Sequence, residues 1–135
     1  MIVVDASAAL AGLLNAGPAR RLLADEQVHA PHLIDVEIAS TLRRRAAGGA
    51  LEADLAWAAL STWLQLGLTR APMAPHLARV WELREIVSAY DATYVALAEA
   101  LDCPLVTADG RLGRAPGLRC TLTLVPSRRC PGAVS

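Results

Sequence analysis

The chain has 135 residues, 54% of them apolar, and its 13 basic and 13 acidic residues cancel to a formal charge of zero. That length fits one compact domain, and the apolar share excludes intrinsic disorder, although 27 of the apolar residues are small alanines. A neutral chain does not steer nucleic acid as a whole, so any such contact must come from local patches. All 13 bases are arginine, and neither lysine nor phenylalanine occurs, a usage that points to a GC-rich bacterial coding sequence. Three cysteines, at 103, 120 and 130, show no CxxC spacing. They exclude a zinc knuckle or disulfide framework and read as reduced thiols. No stretch approaches the roughly 20 apolar residues of a membrane span. Met1 to Asp5 lacks the basic region of a signal peptide, so a soluble, cytoplasmic protein is expected.

Ile2-Val3-Val4 is a β-branched run that predicts a fully buried strand, stopping at Asp5-Ala6-Ser7. Helices are predicted over 8–14 and 19–25, separated by Asn15-Ala16-Gly17-Pro18. Val28-His29-Ala30 reads as a second strand closed by Pro31. The next helices are predicted over 33–47, ended by Gly48-Gly49, and 51–66, ended by Gly67. The second of these carries an apolar stripe of Leu55, Leu60, Trp63 and Leu64. Leu68-Thr69-Arg70 is a weak third strand, followed by a helix over 75–88 around Leu77, Val80, Trp81 and Leu83. A helix over 91–101 leads into a strand at 104–107, and alternation over 118–125 predicts the last strand. Residues 126–135, with Arg128, Arg129, Pro131 and Gly132, are expected to form a frayed, flexible tail beyond a domain at 1–125. Strands alternating with helices imply right-handed crossovers and a parallel sheet. The expected fold is one α/β sandwich.

In open parallel sheets, ligands bind beyond the carboxyl ends of the strands. The first strand delivers Asp5 to that edge, and the strand ending at Thr107 delivers Asp109 through Ala108. Asp91 opens the helix that feeds the second of these strands, which returns it to the same edge. An acid in the helix after the second strand joins them, and periodicity leaves Asp35 and Glu37 equally placed. Clustered carboxylates repel unless a hard cation such as Mg²⁺ or Mn²⁺ neutralises them. Carboxylate-held Mg²⁺ suits phosphodiester hydrolysis. Each acid also has an ordinary reading: Asp5 and Asp91 as helix caps, Asp109-Gly110 as a turn, Glu37 as a solvated helix residue.

The motifs around these acids resemble the PIN-domain ribonucleases, specifically the VapC-type toxins of toxin–antitoxin pairs. The resemblance is carried by Ile2-Val3-Val4-Asp5-Ala6-Ser7 and by Ala30-Pro31-His32-Leu33 through Glu37 to Leu42-Arg43-Arg44. It continues in Tyr90-Asp91-Ala92-Thr93-Tyr94-Val95-Ala96-Leu97-Ala98 and Pro104-Leu105-Val106-Thr107-Ala108-Asp109, in family order, over residues 1 to 125. It implies a PIN-like three-layer sandwich, with a central, mainly parallel sheet flanked by helices. It places the family's acidic quartet on Asp5, Glu37, Asp91 and Asp109, with Asp5, Asp91 and Asp109 as metal ligands. Ser7 and Thr107 become polar support for the carboxylates, and Arg111 and Arg114 candidate phosphate contacts.

The activity implied is that of an Mg²⁺-dependent (or Mn²⁺-dependent) endoribonuclease toxin that inhibits translation by cutting RNA. The partners implied are a homodimer mate and an antitoxin that lays an apolar helix on the Leu55, Trp57, Leu60, Trp63, Leu64 and Trp81 surface. DNA would be reached only through that antitoxin, and no membrane is involved. Two departures stand out: Gly110 replaces any close fifth acid, and the 126–135 tail is outside the pattern. The run Arg43-Arg44-Arg45 is expected to point around its helix without forming one patch. Two other readings are a PIN scaffold that no longer cuts, and a phosphatase resembling the haloacid dehalogenases. The latter would need an acid at position 7, which is serine, and a lysine.

Overall fold

The computed structural model describes residues 1–127. Five short strands, β1 (Ile2–Val4), β2 (Val28–Pro31), β3 (Thr69–Ala71), β4 (Leu105–Thr107) and β5 (Leu122–Leu124), form one sheet in the order β3-β2-β1-β4-β5. Every neighbouring pair is parallel. Six helices accompany them: α1 (Ala6–Leu14), α2 (Pro18–Asp25), α3 (Ile34–Ala47), α4 (Ala53–Gln65), α5 (Leu77–Glu82) and α6 (Ala89–Leu101). The fold is the α/β sandwich expected, with the sheet wholly parallel.

β1 and β4 form the centre, and both are buried throughout. A strand covered on both faces needs an unbroken apolar run, which Ile2-Val3-Val4 and Leu105-Val106 supply. α6 buries Ala92, Val95, Ala96 and Ala98 against the sheet, and its alanines let the backbones come close. α1 and α2 meet at Gly12, where a Cβ would stand 2.6 Å from Leu23 Cδ1 and 3.2 Å from the Ala19 carbonyl carbon. A Cβ there would push the Leu23 side chain aside and crowd the α2 backbone.

The structure shifts most element ends by one or two residues, and three of the changes have a clear physical reason. β2 includes Pro31, which pairs with Ala71, because the bond to β3 at that end comes from the His32 amide to the Ala71 carbonyl (3.1 Å). The proline nitrogen is not called upon. The helix expected over 75–88 is only a 3₁₀ turn (Ala74–His76) and α5, after which i→i−3 bonds take over at Arg84 and Ile86. Ser88 caps the next helix, its Oγ accepting the Asp91 amide at 3.1 Å, so the chain must turn before it. β5 starts later than expected because the Arg119 amide donates to Glu99 Oε2 (2.8 Å) instead of joining the ladder.

Trp63 belongs to the core, not to the surface patch: it is fully buried, and its Nε1 donates to Asp35 Oδ1 at 2.7 Å. Arg70 clasps the same carboxylate through Nε and Nη2 at 2.7 and 3.0 Å. Burial raises the Asp35 pKa, yet these donors outweigh it and hold the carboxyl below its usual range. The triad ties α3, α4 and β3 together. Leu55, Trp57, Leu64 and Trp81 remain exposed, while Leu60 is half-buried. The tail expected at 126–135 lies outside the described residues from 128 onward.

Trp63→Ala is expected to cost about 3–5 kcal/mol, the range for deleting a buried large aromatic. Trp63→Phe should cost less, because both variants lose the Nε1 bond to Asp35 but the phenyl ring refills most of the space. Urea unfolding of both variants measures the difference, and equal costs would remove the packing account.

Candidate active site

β1 sits where the sheet order reverses, with β2 on one side and β4 on the other. Such a switch point leaves a crevice at the carboxyl ends of the two central strands. Asp5 follows β1 directly, and its amide donates to the Val106 carbonyl of β4 at 3.1 Å. Asp109 lies two residues past β4. Glu37 stands in the first turn of α3 and Asp91 in the first turn of α6, where the helix dipoles favour negative charge. All four carboxylates line one cleft of about 280 Å³. Asp35, which periodicity could not separate from Glu37, is committed to Trp63 and Arg70 instead.

Asp5 is the deepest of the four, at 5% exposed. Its Oδ1 accepts from Ser7 Oγ (2.6 Å) and from the Ala8 amide (2.9 Å), and its Oδ2 accepts from Thr107 Oγ1 (2.5 Å). Asp5 therefore does cap α1, while also facing the cleft. Ser7 and Thr107 are themselves fixed, accepting from the Ala108 and Asp109 amides at 2.9 and 3.0 Å. Burial pushes the Asp5 pKa up, against these three hydrogen bonds, and the Asp91 charge adds to the rise.

The other acids are held by different partners. Glu37 Oε1 accepts from the buried Tyr94 hydroxyl at 2.6 Å. Burial raises the Glu37 pKa, and Asp91 and Asp5 raise it further against the Tyr94 bond. Asp91 is also raised, by burial and then by Asp109. It is not the cap of α6, since Ser88 fills that position. Burial alone would lift Asp109, but the amide and guanidinium of Arg111 outweigh it and hold the carboxyl below its usual range. Arg111 and Arg114 line an adjoining cleft that shares Asp91 and Asp109 with the acidic one.

The PIN domain family model matches residues 2–118. Ribonuclease VapC9 of Mycobacterium tuberculosis is 57% identical over 126 residues, covering 93% of this chain and 99% of that protein. Ribonuclease VapC1 of the same organism is 44% identical over 128 residues, covering 91% and 96%. The chain belongs to the PIN-domain family. Among solved structures, the M. tuberculosis toxin VapC20, described as cleaving the sarcin-ricin loop, superposes with a TM-score of 0.62 at 25% identity. It covers 84% of this chain and 93% of its own. VapBC2 from Rickettsia felis, bound to a DNA fragment from its promoter, reaches 0.68 at 15% identity, covering 93% and 99%. It shares the fold. Membership across residues 2–118 leaves the phosphatase reading without support.

Side chains that the sequence reading passed over also border this PIN cleft. Tyr94 was quoted only as part of a motif, yet it is the partner of Glu37. Thr41 and Arg45 line the acidic cleft with Glu37, because positions i, i+4 and i+8 stack on one helix face. Arg43, Arg44 and Arg45 point around the helix as expected, and two of them still border the site. Arg45 faces the acidic cleft and Arg44 lines a groove beside it, at i+7 from Glu37. The i+7 and i+8 spacing was the available signal.

A hard divalent cation fits the donor chemistry here. Four carboxylates share one cleft, and three of them have pKa values raised by burial and by one another. Among the described residues, no three such side chains converge into a ready-made chelate, and Asp5, Glu37 and Asp109 each keep hydrogen-bond partners of their own. That matches a small cation which takes one or two carboxylates and keeps several waters. Asp5, Asp91 and Asp109 are the side chains that would hold it.

The raised Asp5 pKa fixes the sign of a pH effect. The native carboxyl keeps its proton above the unfolded value of about 4, so native-state stability falls as pH rises through that window. Without metal, wild type should therefore lose stability relative to Asp5→Asn as pH rises from the unfolded carboxyl range through the raised native one. Urea unfolding of both proteins across that range tests it, and a constant difference would refute the burial account.

Proposed function

We propose that this PIN-domain protein is a metal-dependent endoribonuclease toxin that blocks translation by hydrolysing RNA phosphodiester bonds. The observation that carries the reading is the convergence of Asp5, Glu37, Asp91 and Asp109, from four separate chain segments, on one cleft at the sheet's switch point. Asp5, Asp91 and Asp109 would hold Mg²⁺ or Mn²⁺, which when bound would supply charge stabilisation at the scissile phosphate and a more acidic water. Ser7 and Thr107 keep the Asp5 carboxylate oriented, with one hydroxyl on each oxygen. Glu37, steadied by Tyr94 and with its pKa raised, accepts a proton from water in the cleft. Arg111 and Arg114 hold the phosphates of the strand on the Asp109 side.

The resemblance to VapC-type toxins supports a cytoplasmic bacterial protein with a homodimer mate and a cognate antitoxin, and with DNA reached only through that antitoxin. The exposed Leu55, Trp57, Leu64 and Trp81 offer the apolar surface such partners need. No helix among the described residues is long and apolar enough to cross a membrane.

Asp5→Asn and Asp91→Asn should each slow RNA cleavage at least about 100-fold while leaving the fold intact, as loss of one preorganised electrostatic group does. Cleavage assays on purified wild type and variants with Mg²⁺ check this. A wild type that cuts no RNA would favour a PIN scaffold that only binds, and variants that cut at its rate would show the assigned site to be wrong. The metal requirement has a separate readout. At about 100 times Kd, Mn²⁺ should stabilise wild type by roughly 2.7 kcal/mol. Thermal melts should show that gain blunted in Asp5→Asn, and equal gains would place the metal elsewhere.

A further inference from the structure

We propose that the groove beside the acidic cleft, formed by Val36, Ser40, Thr41, Arg44 and Tyr90, is a nucleotide subsite. In it, one unpaired base of the RNA stacks on Tyr90 and the adjoining phosphate is held by Arg44. The subsite presupposes the ribonuclease reading of the neighbouring cleft and adds to it where the substrate strand runs.

The groove, of about 310 Å³, adjoins the acidic cleft, and Glu37 and Thr41 line both. Tyr90 precedes Asp91 in the chain, so its ring stands one residue from a carboxylate of the cleft. The two tyrosines divide sharply. Tyr94 is buried against Glu37, whereas Tyr90 is 65% exposed beside Val36, itself 71% exposed. An open aromatic face beside an apolar side chain is the surface on which nucleic-acid bases stack, and such stacking tolerates any base.

Arg44 supplies the charge. Its Nη1 and Nη2 donate to Ser40 Oγ (2.9 Å) and Thr41 Oγ1 (3.2 Å). These neutral hydroxyls fix the guanidinium without cancelling it, and no carboxylate pairs with it among the described residues. Its remaining N–H donors are open to a phosphate. Electrostatics favour such a group. A polyanion crossing four carboxylates is helped by cations on its flanks, beyond the bound metal and Arg45 in the cleft itself. Arg111 and Arg114 stand on the Asp91 and Asp109 side, and Arg44 on the Glu37 side. The strand therefore crosses the acidic cleft from one arginine-lined groove to the other. A base can reach the Tyr90 ring only when unpaired, so looped or single-stranded RNA is the class selected.

The test uses the full chain carrying Asp5→Asn, so that the probe stays uncut, and a fluorescein-labelled single-stranded RNA of mixed sequence with Mg²⁺. By anisotropy, adding Tyr90→Ala should raise Kd about tenfold, within the range for losing one stacked base, whereas Tyr90→Phe stays within about twofold. Arg44→Ala should weaken binding and reduce the slope of log K against log salt by about 0.7. The same sequence as a duplex should not distinguish Tyr90→Ala from its parent. In the otherwise wild-type enzyme, Tyr90→Ala should raise KM and leave kcat nearly unchanged. Unchanged Kd and KM in Tyr90→Ala overturn the subsite, as does a loss confined to Arg44→Ala. Equally, the subsite falls if Tyr90→Ala spares RNA binding but releases a co-expressed antitoxin. Absence of RNA cleavage by wild type would instead sink the ribonuclease reading, and cleavage by Asp5→Asn at the wild-type rate the role of Asp5; in the first case the anisotropy result would still decide the groove.

Discussion

A carboxylate buried between the two central strands is the constraint around which this molecule is arranged. Asp5 is nearly inaccessible, and a charge in that position is costly unless donors surround it. The fold supplies them from both sides of the switch point: Ser7 and the Ala8 amide from the start of α1, and Thr107 from the end of β4. Those hydroxyls then accept from the Ala108 and Asp109 amides, so the loop carrying Asp109 is positioned by the group that holds Asp5. Helix cap, strand junction and catalytic geometry are one hydrogen-bonded unit.

The rest of the scaffold sets the helices that bring the other acids to that edge. The Asp35–Trp63–Arg70 triad locks α3 against α4 and β3, which fixes the face on which Glu37, Thr41 and Arg45 stand. A second network does the same for α6. Arg79 donates from Nε and Nη2 to the two Glu99 oxygens at 2.7 and 3.1 Å, and from Nη2 to the Gly117 carbonyl at 3.1 Å. Burial raises the Glu99 pKa, but Arg79 and the Arg119 amide outweigh it and keep the carboxyl low. These pairs sit away from the acidic cleft, and they neutralise their acids. Three of the cleft acids, Asp5, Glu37 and Asp91, have no such cation against burial, and their pKa values rise where those of Asp35, Glu99 and the Arg111-paired Asp109 fall. The contrast separates acids that hold the fold together from acids free to take a cation.

The same contrast explains why two carboxylates in α3, two residues apart, have unrelated roles. Asp35 and Glu37 point to different faces of one helix, and only the position of Trp63 on α4 and Arg70 on β3 decides which face meets the core. A one-dimensional pattern carries no information about those neighbours. The motif resemblance favoured Glu37 because it carries the outcome of packing. Similarly, Asp91 reads in sequence as a helix cap, yet Ser88 takes that role and leaves the Asp91 side chain to the cleft.

The sequence by itself determined the fold class, the number and order of the strands, and the acids that end β1 and follow β4. Those features follow from local apolar runs, turn residues and spacing, which act over a few residues. Only the tertiary structure decided that Pro31 extends β2, that the helix after Pro75 stops early, and that Arg119 is drawn out of the ladder by Glu99. It also decided that Trp63 is core while Trp57 and Trp81 stay exposed, and that Tyr94, Arg44 and Arg45 border the acidic cleft. Each of these depends on a partner about 20 to 60 residues away or on a neighbouring element. Burial and pairing are properties of the assembled sheet and helices, which local residue preference does not encode.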